Sequence, residues 1–133
     1  MINQSLHLTD EEALDSLLCC IKHRGEDEVS TLIVAVVGSH FQTQWLVHNV
    51  QEVLNEATFN KPTRVLHYKS TRVTFVRYDE SLNTLSAIQP VAWLPLCDNI
   101  PAKMISWLNY RTERGKYMYC NRKGTYEGRS KVL

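Results

Sequence analysis

A chain of 133 residues and 15.4 kDa has the length of one ordinary domain, and 44% hydrophobic with 22% charged residues excludes disordered, collagenous and linker-like chains. The formal net charge of +1 is too close to neutral to name a partner by itself. No apolar run approaches the roughly 18 residues of a membrane span, and the start lacks a basic region followed by an apolar one, so a soluble, cytoplasmic protein without a membrane is expected.

The first element opens with Thr9 as N-cap and Glu12 three residues later, a capping box followed by acids that suit the positive end of a helix dipole. A helix is predicted from Asp10 to His23, with Leu14, Leu17, Leu18 and Ile21 on one stripe and Gly25 ending the run. Its other face is acidic and exposed to water. Leu32 to Val37 is a continuous, mostly β-branched run ended by Gly38, the pattern of a central strand buried on both faces. Ser39 then caps a helix expected over His40 to Ala57, with Leu46, Val50, Val53, Leu54 and Ala57 inward and Gln42, Gln44, Gln51 and Glu52 outward.

Thr63 to Tyr68 and Arg72 to Tyr78, joined by Lys69-Ser70, read as a β-hairpin, the second arm alternating between Val73, Phe75 and Arg77 on one side and Arg72, Thr74, Val76 and Tyr78 on the other. A turn or short helical piece covers Asp79 to Gln89. Val91 to Leu94 is another apolar strand, and Pro95 requires it to be short or to lie where its amide is not needed. Pro101 at the first helical position starts a helix carrying Met104, Ile105 and Leu108 and closed near Gly115. Lys116 to Cys120 is the last strand candidate. The predicted architecture is α/β: one domain over residues 1–120, a mixed sheet with a central buried strand, one hairpin and helices packed on the faces. Residues 121–133 form a basic, glycine-spaced tail that can stay mobile until bound.

Cys19, Cys20, Cys97 and Cys120 include no CxxC pair, so buried reduced thiols are expected in preference to a metal site. The loop Gly38-Ser39-His40-Phe41-Gln42 sits where open α/β sheets bind ligands, with Ser39 and helix N-terminal amides ready for an anion. A phosphate loop, however, needs two glycines and a lysine, and only Gly38 is there. No glycine-serine-glycine elbow surrounds a serine, and His7, His23, His40, His48 and His67 show no ligand spacing. Asp79, Glu80 and Asp98 follow two strands and are the carboxylates a magnesium-dependent nuclease or nucleotide-dependent enzyme would use; turn-capping is the commoner role for such acids. No catalytic residue, cofactor or metal is assigned.

Charge separates along the chain. Residues 1–29 hold seven acids against two bases, a net of −5, with Asp10, Glu11, Asp15, Glu26, Asp27 and Glu28 as a candidate protein-binding face. Residues 111–133 hold seven bases against two acids, a net of +5. Here Tyr110, Arg111, Arg114, Lys116, Tyr117, Tyr119, Arg122, Lys123, Arg129 and Lys131 mix bases with aromatic rings, as single-strand nucleic-acid platforms do. Opposite ends also invite head-to-tail contact between copies.

An apolar strand followed by a Gln-containing helix, the hairpin Arg64 to Val76, an apolar strand ending in Asp98, a helix after Ile100-Pro101 and a strand leading to Arg122-Lys123-Gly124-Thr125 together resemble the ATPase core of viral DNA-packaging terminases and helicases, over about two-thirds of the chain. The phosphate loop of that family is missing from residues 1–31, and its catalytic glutamate would fall on Asn99. The resemblance therefore implies a scaffold without ATP hydrolysis, phage- or mobile-element-encoded and acting in the host cytoplasm. The reading that follows is a non-enzymatic binding or regulatory protein that occupies a host or viral protein, or a nucleic acid, and can form homo-oligomers. Its rival is the enzyme built on Asp79, Glu80 and Asp98.

Overall fold

A computed structural model describes residues 9–25, 31–85, 90–112, 116–120 and 126–130. Helix α1 spans Asp10–Gly25, strand β1 Thr31–Val37, helix α2 His40–Val53, and strands β2, β3 and β4 span Thr58–Asn60, Val65–Tyr68 and Thr71–Arg77. A 3-10 turn at Leu82–Leu85 leads to β5 (Ala92–Pro95), α3 (Ala102–Arg111), β6 (Lys116–Cys120) and β7 (Tyr126–Ser130). The seven strands form one sheet in the order β2-β3-β4-β1-β5-β6-β7. It is mixed: β1 runs parallel to both β4 and β5, β5 to β6, while β2–β3, β3–β4 and β6–β7 are antiparallel.

The predicted α/β class holds, and the reason is visible in β1. Ile33, Ala35 and Val37 point to one face and Val34 and Val36 to the other, all buried, because helices cover both sides. The first face packs Ala13, Leu17 and Ile21 of α1 and Leu46, Val47 and Val50 of α2 against Ile33, Phe75 and Leu94. The second packs Met104 and Leu108 of α3 against Val34, Val76 and Trp93. There the Trp93 indole N–H donates to Asn109 Oδ1 at 2.9 Å, a buried polar link between strand and helix.

Local expectations hold in part. The capping box forms: Thr9 N–H donates to Glu12 Oε1 at 3.0 Å and Glu12 N–H to Thr9 Oγ1 at 3.1 Å. Helix α2 stops at Val53 rather than Ala57, and Val53 is exposed where it was expected inward, because Thr43 and Val47 share the buried stripe with Leu46 and Val50. Strand β2 was not foreseen. Pro101 is the N-cap of α3, with extended backbone, and the helix ends at Arg111 instead of reaching Gly115. Pro95 lies inside β5 without breaking the ladder. The next amide, Leu96 N–H, reaches the Val36 carbonyl at 2.9 Å, so by strand alternation the missing Pro95 donor faces away from β1.

Two expectations about the chain ends are corrected. Tyr126–Ser130, read as part of a tail, is an edge strand paired with β6. Cys19 is disulfide-bonded, which removes the argument for four reduced thiols; Cys20 and Cys97 form no disulfide.

Candidate functional site

Parallel strands β4, β1 and β5 bring their carboxyl ends to one edge of the sheet. From β1 the chain passes through α2 to strands β2–β4 on one flank, while β5 lies on the other, so β1 marks the point where the strand order reverses. Open α/β sheets bind ligands in the crevice at such a point. Here a groove of about 540 Å³ is lined by Ser39, Phe41, Gln42 and Trp45 from the β1–α2 corner, Leu96, Cys97 and Asp98 after β5, and Asp10 from the start of α1.

The corner is held by its own polar groups. Ser39 has extended backbone and its hydroxyl accepts the Gln42 amide N–H at 3.1 Å, the ordinary N-cap bond. The Gln42 side chain, expected to face water, turns back: its oxygen accepts the Gly38 N–H at 2.7 Å and its nitrogen donates to the Leu96 carbonyl at 2.8 Å. A Cβ on Gly38 would meet Cys97 Cβ and Gln42 Oε1 at 3.5 Å each, which is ordinary contact, so this glycine is not reserving space for a phosphate.

Phe41 is 82% exposed and Trp45 38% exposed, one helical turn apart on the face of α2 opposite its core stripe. Leaving a ring the size of Phe41 in water forgoes about 1.5–3 kcal/mol of burial, and the exposed part of the Trp45 ring extends this apolar surface at the same crevice. In the sequence Phe41 enters only as a member of the Gly38–Gln42 corner and Trp45 not at all, since the mixing of bases with aromatic rings lies near the C-terminus. The available signal was the i, i+4 pair of large rings among glutamines on the polar side of α2.

The three carboxylates of the enzymatic alternative do come to this edge, with different surroundings. Asp79 takes a bidentate pair from Arg77, at 2.9 and 3.0 Å, and that guanidinium holds its carboxyl below the usual carboxylate range. Glu80 receives both terminal nitrogens of Arg64 and the Arg77 backbone N–H at 3.1 Å. Burial pushes the Glu80 carboxyl up, but the Arg64 hydrogen bond and the Arg77 amide outweigh it, and the net direction is down. Only Asp98 lines the groove. Among the described residues no group of three or more His, Cys, Asp or Glu could hold a metal ion.

Next to Asp98, burial and then the Asp98 charge push the Cys97 thiol up to about 12, so it stays protonated near neutral pH and does not supply a thiolate nucleophile. Asn99, where the resemblance would place a glutamate, has φ 62°, the left-handed region that asparagine tolerates better than most residues.

Of the acidic candidates, Asp10, Glu11 and Asp15 are exposed on α1, with Asp10 at the groove; Glu26, Asp27 and Glu28 lie outside the described residues. Of the basic and aromatic candidates, Tyr110 is 82% exposed at the end of α3, and Arg111 stacks over the Trp107 ring at 5.2 Å. Lys116, Tyr117 and Tyr119 belong to β6 and Arg129 to β7, where Tyr117 is in register with both Trp93 and Arg129. Arg114, Arg122, Lys123 and Lys131 lie outside the described residues. Helix α1 lies against β6 and β7.

No family model matches the chain, and neither a curated protein nor a solved structure matches it. No helix among the described residues is long and apolar enough to cross a membrane.

Proposed function

We propose that this chain is a non-enzymatic binding protein that acts by occupying a partner protein, and that its contact surface is the groove at the carboxyl edge of the sheet. The observation that carries this reading is the pair Phe41 and Trp45, exposed side by side in the crevice where the strand order reverses. Exposed aromatic rings set in a concave surface supply the apolar anchor a protein contact needs, and the exposed acids of α1 extend the surface with charge. The chemistry at this edge of the sheet supports grip over turnover: Asp79 and Glu80 are engaged by arginines, and the Cys97 thiol is held protonated.

The test is capture from native extract on the immobilised full chain, on the Phe41→Ala/Trp45→Ala double variant and on Tyr110→Ala. A protein retained by the parent and by Tyr110→Ala but lost from the double variant supports the reading. Equal retention by all three chains, or loss on Tyr110→Ala alone, contradicts it. The latter result would move the contact to the basic end of α3.

A further inference from the structure

Resting on the reading of the groove as a binding surface, the geometry points to its occupant: we infer that the groove takes an arginine side chain from a basic segment of the partner protein. Two carboxylates, Asp10 and Asp98, line the same concavity as the Phe41 and Trp45 rings. A flat guanidinium can lie on an aromatic face while its N–H groups reach carboxylates at the margin, a combination that an ammonium or an apolar side chain matches less well. An apolar occupant would strip water from the exposed Asp10 carboxylate without replacing it.

An anion, the other ligand a helix N-terminus favours, is opposed by charge. The α2 terminus presents about half a positive charge, against the two carboxylates of Asp10 and Asp98. The first turn of α1 brings Asp10, Glu11 and Glu12, which counter that helix's own dipole. At the corner itself, the Ser39 hydroxyl accepts from Gln42 and the Gln42 amide nitrogen is directed to Leu96, so these groups hold the loop together. Beyond the groove, Glu11 and Asp15 continue the acidic surface along α1, giving neighbouring basic residues of the same segment a place to lie.

The experiment titrates the full chain with the tripeptide acetyl-Arg-Arg-Arg-amide, its lysine counterpart and inorganic phosphate, following backbone amide shifts by NMR. The arginine peptide is expected to move signals from Ser39 to Trp45 and at Cys97 and Asp98, to bind more tightly than the lysine peptide, and to weaken about tenfold or more in Asp10→Asn/Asp98→Asn. Both substitutions keep side-chain size, and an unchanged spectrum away from the groove shows that the variant is folded. If phosphate moves these signals and the arginine peptide does not, the occupant is wrong while the groove stands as a binding surface. Arginine binding that the double variant does not weaken also overturns the assignment. If no probe moves the groove signals and capture is insensitive to Phe41→Ala/Trp45→Ala, both readings fail together.

Discussion

Gln42 on α2 donates its side-chain amide to the carbonyl of Leu96, 54 residues later in the sequence, at 2.8 Å, while its oxygen receives the Gly38 N–H at 2.7 Å. One side chain thus ties the end of β1, the start of α2 and the end of β5, the three segments that shape the groove. Gln42→Ala deprives two half-buried or buried backbone groups of their partner and is expected to cost about 1–3 kcal/mol. Urea unfolding measures it, and an unchanged midpoint would show that water replaces the amide without loss.

Trp93 and Asn109 join β5 to α3 through a buried hydrogen bond, with Asn109 only 2% exposed. Asn109→Ala removes the acceptor of the indole N–H and is expected to destabilise the fold by roughly 1–3 kcal/mol. In a double-mutant cycle with Trp93→Phe, the two losses should fall short of adding, with a coupling of about 0.5 kcal/mol or more. Strict additivity would mean that the bond contributes nothing beyond packing.

Acid should weaken the fold through Glu80. Its carboxyl lies below the ordinary value in the folded protein, so the stabilisation is present above the unfolded-state value of 4.5 and is lost as pH falls through the folded value. Unfolding midpoints measured from pH 7 down to pH 3 should therefore drop more steeply for the parent than for Glu80→Gln, which cannot titrate. Parallel curves would remove Glu80 from the account of acid sensitivity.

Cys97 should resist alkylation in the folded protein. With the thiol raised from 9.0 to about 12, the thiolate fraction near pH 8 falls roughly a thousandfold. Iodoacetamide labelling followed by peptide mapping should find Cys97 slow in the native protein and fast in urea. Rapid native labelling would contradict the burial that causes the shift.

Much of the fold is legible in the residues because its periodicities are local. The Thr9–Glu12 box, the uninterrupted Leu32 to Val37 run and the alternation of Val73 and Phe75 against Val76 and Tyr78 each depend on neighbours within a few positions, and each element formed. What escaped depends on contacts distant in sequence. The inward turn of Gln42 needs the Leu96 carbonyl, brought there by the β1–β5 pairing. Thr58–Asn60 is a strand because β3 offers an edge to pair with, and its three residues carry too little pattern to announce it.

The site was legible as a place and not as a surface. The Gly38–Gln42 corner was expected from the strand-to-helix transition, and the groove is there. From the sequence the corner offers only helix N-terminal amides, because the helix terminus alone is visible locally; Asp10 and Asp98 reach the same groove from 29 residues before Ser39 and 59 residues after it. The outward position of Phe41 and Trp45 follows from Thr43, Leu46, Val47 and Val50 forming the buried stripe of α2.

The central claim is that this molecule holds its partner at the rings of α2. It is tested most directly by the indole N–H NMR signals of Trp45, Trp93 and Trp107, recorded in the full chain alone and with the captured partner. The account predicts a large shift of Trp45 and little change at buried Trp93. A stationary Trp45, with shifts at Tyr110 and along β6 and β7 instead, would contradict it.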